Sequence, residues 1–339
     1  MGETVLTGME VALGRPPFGS ARIGLVTHRA AVTLAGTPGR VELQRAGVNL
    51  VRLFSPEHGL ESAALDGVAV GDATDPLTGL RVTSLYGDHR KPTPEDLDGL
   101  DGLAVDLQDV GARCYTYQST MILAMEAAAE AGIPVWILDR PNPVGGAHVE
   151  GILRRDGFES FVGQLPIPMR HGLTFAEIAA WARPEALELH KVTMRGWRRD
   201  MWWDQTGRPW AVPSPAIPDA DTTLAYLGTV LLEGTEWSEG RGTPHPFRVV
   251  AGPEDPIEFS WADRNTFQPV AEGMLLLQRL CRRDGVLWRR EGRALDLLFG
   301  GDDLRLALER DLPLEPLLER TAVEAAAFRE STAAEHLYG

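Results

Sequence analysis

The sequence predicts an α/β fold, in which a parallel sheet is covered by helices. Short runs rich in valine, isoleucine and leucine recur through the first half of the chain, and helical or loop segments separate them. Strands that alternate with helices are joined by crossover connections, which place the strands parallel to one another. The 339 residues, 44% of them hydrophobic, suffice for a large core and for two domains.

Five apolar runs in the first half are predicted to be strands. They span residues 22–26, 48–54, 81–85, 103–107 and 134–138. Residues 119–131, between the last two runs, have a strongly helix-forming composition, and Ser119 is a plausible N-cap. The repeated order of strand and helix supports the parallel sheet.

The second half is less regular. Residues 187–197 alternate enough to predict a strand, and residues 222–233 predict a helix although they include a glycine. Residues 288–298 are predicted to form a strand, and residues 302–309 a terminal helix. We therefore expect an α/β domain over residues 1–210 and a smaller α+β domain over residues 211–339.

Polar residues follow all five predicted strands of the first half. Ligands of open parallel sheets bind in the crevice beyond the carboxyl ends of the strands, so these residues predict one shared site. In chain order they are His28, Glu57 with His58, Tyr86, Gln108 with Asp109, and Asp139 with Arg140.

The composition argues against several classes of protein. A formal charge of −15 opposes nucleic-acid binding, which needs a basic surface. Two cysteines, Cys114 and Cys281, cannot form a disulfide framework or a sulfur-rich metal site. The N-terminus lacks the pattern of a secretory leader, and no apolar run reaches about 18 residues. We expect a cytoplasmic protein that does not bind membranes; its oligomeric state is not predicted.

The familiar cofactor and nucleophile motifs are also absent. No glycine-rich phosphate loop follows the first predicted strand, and the chain has no Walker loop, no G-x-S-x-G and no H-E-x-x-H. We therefore expect no cofactor and no metal. The remaining chemistry is that of carboxylates, and glycoside hydrolysis uses two of them. Four carboxylates in loops flanked by proline or glycine suit that role: Glu57, Asp109, Asp139 and Glu239.

Nine sequence blocks, in order along the chain, match one family. They are SPEHGL (55–60), TSLYG (83–87), VDLQDVGARCYTYQSTM (105–121), LDRPNPVGG (138–146), VEG (149–151), SFVG (160–163), PIPMRHGLT (166–174), PSP (213–215) and EGTEWSEGRGTPHPF (233–247). From about residue 21 to residue 247 the chain resembles the exo-β-N-acetylmuramidases.

The resemblance implies a Rossmann-like domain beside a smaller C-terminal domain, with the site between them. It also implies release of terminal N-acetylmuramic acid from peptidoglycan fragments, so that the partner is a small saccharide or muropeptide. Glu57 of the SPEHG block is the family's leading catalytic candidate. We expect Glu57 to be the general acid, and Asp109 or Glu239 to be the second catalytic group.

N-acetylmuramic acid carries a lactyl carboxylate, for which an arginine is the natural partner. Arg113, Arg140 and Arg241 are the candidates. The other predicted substrate-binding residues are His58, Tyr115, Tyr117, Asp139, Asn142 and His171.

The chain departs from the family pattern at four places. Where Thr27 is followed by His28 in this chain, the family usually has asparagine. It usually has asparagine also at the positions of Ala216 and Glu236. Glu61 and Ser62 stand where the family normally has an arginine and a glycine. These changes leave two alternatives open: a muropeptide-binding protein without turnover, and a hydrolase of different sugar specificity. A metal-dependent hydrolase that uses Glu57, Asp109 and Asp139 is a third.

Overall fold

A seven-stranded sheet forms the centre of the fold in this computed structural model, which describes residues 4–65, 67–252 and 254–339. Its strands are β1 Ile23–Thr27, β2 Leu50–Ser55, β3 Ala73–Thr74, β4 Arg81–Ser84, β5 Gly102–Asp106, β6 Val135–Leu138 and β7 Leu189–Val192. The spatial order is β3-β4-β2-β1-β5-β6-β7, and only β3 runs antiparallel to its neighbour. The predicted α/β class is confirmed.

Helices precede β1 and form the crossovers between strands. They are α1 Gly8–Gly14, α2 Gly39–Arg45, α3 Pro94–Leu97, α4 Tyr117–Ala131 and α5 Phe175–Trp181. The two central strands, β1 and β5, are buried along their whole length, since helices cover both faces of the sheet. That is why their sequences are continuous apolar runs and could be recognised.

The start of α4 differs from the prediction. The helix begins at Tyr117, and its N-cap residue is Thr116. The Ser119 hydroxyl instead donates a hydrogen bond to the Phe161 carbonyl oxygen, at 2.7 Å. The prediction that Ser119 caps the helix is wrong, because the serine ties the helix to a neighbouring loop.

The second half contains mostly helices and one small hairpin. The remaining elements are α6 Ala220–Thr229, β8 Val249–Val250, β9 Ile257–Glu258, α7 Pro269–Asp284, α8 Arg293–Phe299, α9 Asp303–Glu309 and α10 Glu315–Ser331. Strands β8 and β9 pair antiparallel. The predicted strand over 187–197 is confirmed as β7. The predicted helix over 222–233 is confirmed as α6, which continues into the 3-10 turn Val230–Gly234.

The predicted strand over residues 288–298 is wrong. A 3-10 turn, Arg289–Gly292, leads there into α8. Leu295, Leu298 and Phe299 are buried, and their spacing of three and four is helical. The predicted helix over 302–309 exists as α9, but it is not terminal, since α10 follows it.

The sheet reverses its direction of growth at β1. From β1 the chain adds β2 and then β4 on one side, and it returns to add β5 on the other side. Crevices beyond the carboxyl ends of strands at such a point are where open α/β sheets bind ligands.

One hydrophobic cluster joins strands and helices of the first half to α6, α7 and α8. The predicted boundary after residue 210 stays a prediction, and Met1 to Glu3 of the first predicted domain lie outside the described residues. Among the described helices, none has both the length and the apolar character to cross a lipid bilayer.

Candidate active site

A cavity of about 630 Å³ lies beyond the carboxyl ends of β2 and β4. Residues from both halves of the chain line it. They are Glu57, His58, Gly67, Tyr86, Arg90, Cys114, Tyr115, Thr116, Ser160, Phe161, Val162, Ser214, Ile217, Tyr226, Glu233, Glu239, Arg241, Phe247, Arg289, Arg290, Ala294, Leu297 and Leu298.

Glu57 lies at the inner wall of this cavity, two residues after β2 ends. Only 7% of the residue is exposed. The backbone amide of Gly67 donates to Oε1 at 2.8 Å, and the hydroxyl of Thr116 donates to Oε2 at 2.7 Å. Two donors from different loops therefore hold the carboxylate in one orientation.

His58, the next residue, also lines the cavity and has a positive φ of 69°. Its Nδ1 donates to the carbonyl oxygen of Ala64 at 2.8 Å. A non-glycine residue in this conformation stores strain, a feature that clusters at functional sites. The hydrogen bond fixes the imidazole beside Glu57.

The second half of the chain contributes Glu239, Arg241 and Glu233 to the cavity. The Arg241 guanidinium contacts Glu233 at 2.6 Å, and its Nε lies 3.5 Å from Glu239 Oε1. Gly240 between them has φ 83°, and a Cβ there would lie 2.4 Å from the Val249 carbonyl oxygen. Only glycine fits at this position, which explains the glycine of the SEGRG sequence.

An aromatic wall is formed by Tyr86, Tyr115, Phe161, Tyr226 and Phe247. The Tyr115 ring lies 6.2 Å from the Tyr226 ring, and the Tyr226 ring 4.8 Å from the Phe247 ring, between centroids. Burial raises the pKa of Tyr115 and of Tyr226 well above the usual value. Both hydroxyls therefore stay protonated and able to donate hydrogen bonds.

The cavity is less negative than the protein as a whole. Three of the described residues that line it are acidic: Glu57, Glu233 and Glu239. Four are arginines: Arg90, Arg241, Arg289 and Arg290. The chain as a whole carries a formal charge of −15. A locally positive opening lets an anionic ligand approach a negatively charged protein.

Three predicted site residues form a buried group that does not line the cavity. Asp109 Oδ2 accepts from the Gly111 amide at 3.0 Å and lies 3.2 Å from His171 Nε2. His171 Nδ1 accepts from the Leu173 amide, and the Asn142 side chain donates to the Leu173 carbonyl oxygen. This placement favours a role of Asp109, Asn142 and His171 in holding the loops behind the cavity.

Arg113 and Arg140 are also buried away from the cavity. Arg113 donates to four backbone carbonyl oxygens, those of Ile152, Ile167, Leu298 and Phe299. Arg140 is paired with Asp106 at the end of β5. These contacts favour structural roles for both arginines, and Arg241 alone of the three predicted arginines lines the cavity.

Tyr117 and Asp139 lie beneath the site. The Tyr117 ring packs 4.6 Å from the Tyr115 ring and its hydroxyl donates to the Pro213 carbonyl oxygen at 2.8 Å. Asp139 accepts hydrogen bonds from the Ala176 amide and from the Tyr338 hydroxyl, and burial raises its pKa to about 6. Neither residue lines the cavity.

The positions that depart from the family pattern lie outside the cavity lining. His28 is fully buried, and its Nε2 accepts from the Gln108 amide at 3.0 Å. Glu61 pairs with Arg40, and Glu236 is exposed 3.9 Å from Arg289. Ala216 is buried, and in the sequence it lies between the lining residues Ser214 and Ile217. None of the substituted residues contributes to the described lining. The side chains of these substituted residues are therefore not part of the described cavity wall.

Sequence reasoning missed several cavity residues. Thr116, Phe161 and Glu233 lie in blocks that match the family, so the blocks were an available signal. Tyr86 was expected at the shared site because it follows a predicted strand. Arg90, Arg289 and Arg290 lie outside those blocks. Within the described part of the chain, no three His, Cys, Asp or Glu side chains are grouped so that they could hold a metal ion.

Comparison with known proteins gives matches along most of the chain. The model of the N-terminal domain of the exo-beta-N-acetylmuramidase NamZ matches residues 23–221, and that of its C-terminal domain matches residues 224–260. The peptidoglycan beta-N-acetylmuramidase NamZ of Bacillus subtilis (strain 168) is 44% identical over 255 residues. That match covers 74% of this chain and 62% of the Bacillus protein, so the chain spans less than two thirds of this relative.

Two solved structures of DUF1343 family proteins, both from Bacteroides fragilis NCTC 9343, share the fold. The first superposes with a TM-score of 0.91 at 30% sequence identity, and the second with 0.80 at 25%. Each match covers 99% of this chain and 99% of the other.

Proposed function

This chain belongs to the family of the exo-beta-N-acetylmuramidase NamZ, and from that premise we propose that it is an exo-acting glycoside hydrolase. Its proposed substrate is terminal β-linked N-acetylmuramic acid on peptidoglycan fragments, released in cell-wall turnover or recycling. The observation that carries the proposal is that Glu57 and Glu239, from the two halves of the chain, line the same cavity.

Glu57 is the proposed general acid. The Gly67 amide can only donate, and it occupies Oε1. The Thr116 hydroxyl, which contacts Oε2, can donate to an ionised carboxylate or accept from a protonated one. Oε2 is therefore the oxygen that can carry the proton to the leaving glycosidic oxygen, whose bond to the sugar breaks as the proton is transferred.

Glu239 is the proposed second catalytic group. Its carboxylate lines the cavity beside Arg241, whereas Asp109 contacts His171 and Gly111 behind it. Glu239 can attack the anomeric carbon, activate a water molecule, or orient the substrate's own acetamido group, and each route uses the proton that Glu57 gives to the leaving oxygen. Arg241 lies between Glu239 and Glu233 and holds both carboxylates at the cavity wall.

The test of the general acid is Glu57→Gln, assayed on β-N-acetylmuraminides with good and poor leaving groups. We expect turnover on the poor leaving group to fall by roughly 10²–10⁴-fold, the usual scale for general acid catalysis. A good leaving group barely needs protonation and should be affected far less. The matched control is Glu95→Gln, an exposed glutamate of α3 outside the cavity. Turnover of Glu57→Gln near that of wild type on the poor leaving group would contradict the assignment.

The same assay separates the alternatives. Glu239→Gln should lose turnover on both leaving groups, whereas Asp109→Asn should mainly lose stability. Binding of the muraminide without any release by the wild-type protein would identify a muropeptide-binding protein instead. Activity that survives thorough chelation would remove the metal-dependent hydrolase. The cytoplasmic location and the absence of nucleic-acid and membrane partners stay predictions.

A further inference from the structure

Arg90 lies on the cavity wall, against the rings of two other lining residues. Its guanidinium carbon lies 4.4 Å from the Phe161 ring centroid and 5.1 Å from the Tyr86 ring centroid. The two rings are 5.5 Å apart and tilted by 40°. Aromatic faces attract a guanidinium and hold it in place. The N–H groups at the edge of the guanidinium plane stay available to a ligand.

No carboxylate among the described residues lies within ion-pair distance of Arg90, although the protein has 48 acidic residues. Three other cations nearby are paired. Lys91 contacts Glu130 at 2.7 Å, and Arg241 contacts Glu233. Arg289 lies 3.9 Å from Glu236. Arg90 is therefore a cation that two rings hold in place and that has no ion-pair partner among the acids that the structure describes.

Arg290 also lines the cavity with no carboxylate of the described residues in range, but no aromatic contact holds its side chain. It is exposed on a turn whose backbone has φ 50° at Arg290 and 54° at Glu291. A guanidinium that is already oriented loses less conformational freedom when it binds. Arg90 is thus the better carboxylate receptor, and Arg290 serves as the competing assignment in the test.

We propose that Arg90, held against the rings of Tyr86 and Phe161, binds the lactyl carboxylate of the terminal N-acetylmuramic acid and sets the preference for muraminides over glucosaminides. The inference rests on the proposed function. A carboxylate is planar and accepts two parallel hydrogen bonds from the edge of a guanidinium. The matching N-acetylglucosaminide has the same ring and acetamido group and lacks only the lactyl ether, so Arg90 acts on the feature that separates the two sugars.

The test compares kcat and KM of wild type, Arg90→Met and Arg90→Lys on a chromogenic β-N-acetylmuraminide and on the matching β-N-acetylglucosaminide. We expect Arg90→Met to lose about 10-fold in kcat/KM on the muraminide, mostly through KM. This is the low end for a hydrogen bond to a charged group, because Arg90 is exposed. The glucosaminide should hardly be affected. Arg90→Lys should fall between wild type and Arg90→Met, since lysine keeps the charge but not the planar fork.

Lys91→Met is the matched control, because it removes a neighbouring cation that does not line the cavity. Equal losses on both sugars in Arg90→Met would mean that Arg90 supports the fold or the shared chemistry, and would overturn the inference. So would an unchanged Arg90→Met, or a muraminide-specific loss in Arg290→Met alone.

A binding measurement separates this inference from the proposed function. Calorimetric titration with free N-acetylmuramic acid and with N-acetylglucosamine needs no turnover. If wild type cleaves neither glycoside but binds N-acetylmuramic acid about 10-fold more tightly than Arg90→Met does, the function is wrong and the carboxylate site stands. If wild type cleaves the muraminide while Arg90→Met binds both sugars as wild type does, the function stands and the inference fails.

Discussion

Thr116 holds the proposed general acid through a single hydroxyl, which contacts Glu57 Oε2 at 2.7 Å. The same residue is the N-cap of α4, but its side chain makes no capping hydrogen bond. The hydroxyl therefore serves the carboxylate instead of the helix. Thr116 is best described as a positioning residue.

Replacing Thr116 should lower catalysis without unfolding the protein. A hydrogen bond to a charged group contributes about 1.5–3 kcal/mol, so Thr116→Val should reduce kcat on a poor leaving group by roughly 10- to 100-fold. Thr116→Ser, which keeps the hydroxyl, should restore most of that loss. Rates on a good leaving group are the control, since a purely structural defect would lower both rates equally.

At the scale of elements, α6 and α7 pack through two glycines. A Cβ on Gly228 would lie 2.1 Å from the Pro269 carbonyl oxygen, and one on Gly273 would lie 2.4 Å from the Gly228 carbonyl oxygen. Glycine usually weakens a helix interior. Here glycine permits a close backbone contact that any larger residue would block. The packing of α6 against α7 therefore stabilises α6 as a helix although it contains Gly228.

The C-terminal segment is tied to the end of β6. The Tyr338 hydroxyl donates to Asp139 Oδ2 at 2.5 Å, and the Met194 amide donates to the same hydroxyl. The Arg199 amide donates to the Gly339 carbonyl oxygen. Asp139 is thus an anchor for the tail, and its raised pKa makes that anchor sensitive to pH.

Burial raises the pKa of Asp139 from 3.8 to about 6, so the folded protein holds this proton more tightly than the unfolded chain does. Its contribution to stability is full below pH 3.8 and is lost as the pH rises to about 6. We expect the free energy of unfolding of wild type, relative to Asp139→Asn, to fall by roughly 3 kcal/mol over that interval.

Urea unfolding of both proteins at pH values from 4 to 7 measures this difference. Ionisable groups that the two proteins share cancel in the comparison. A difference that does not change with pH would show that the Asp139 carboxyl titrates at its ordinary value.

At the scale of the whole molecule, Arg113 connects the two halves of the chain. No carboxylate of the described residues forms an ion pair with its guanidinium. Its guanidinium donates to Ile152 and Ile167 on one side and to Leu298 and Phe299 on the other, across as many as 186 residues of sequence. Burial lowers its pKa to about 10, so it remains charged at neutral pH.

Arg113→Met should therefore destabilise the protein far more than it changes recognition of the lactyl group. Each buried acceptor that loses its donor costs about 1–3 kcal/mol, and we expect a loss of at least about 3 kcal/mol in the free energy of unfolding. The exposed Arg22, paired with Asp101, provides the control Arg22→Met, which should hardly change stability. Wild-type stability of Arg113→Met with a loss specific to the muraminide would restore the role predicted from the sequence.

Local patterns in the sequence determined the α/β class, six of the seven strands of the sheet and the candidacy of Glu57. A short apolar run predicts a buried strand, and a block of adjacent residues identifies the family. Neither inference requires knowledge of contacts between residues distant in the sequence. The strand predicted over residues 288–298 failed because Trp288 and the leucines that follow fit both periods over so short a run, and burial of Leu295, Leu298 and Phe299 selected the helix.

Only the tertiary structure decided which ionisable groups face the cavity. Arg140 follows a predicted strand as closely as Glu57 does, and Arg113 lies a few residues beyond another. Carbonyl oxygens enclose Arg113 and Asp106 pairs with Arg140, whereas Arg90 reaches the cavity wall from outside any family block. The physical reason is that a charged side chain in these loops adopts the position in which hydrogen-bond acceptors or an opposite charge compensate for its burial. For Arg113 those acceptors include Leu298 and Phe299, and no local pattern encodes a contact over that separation.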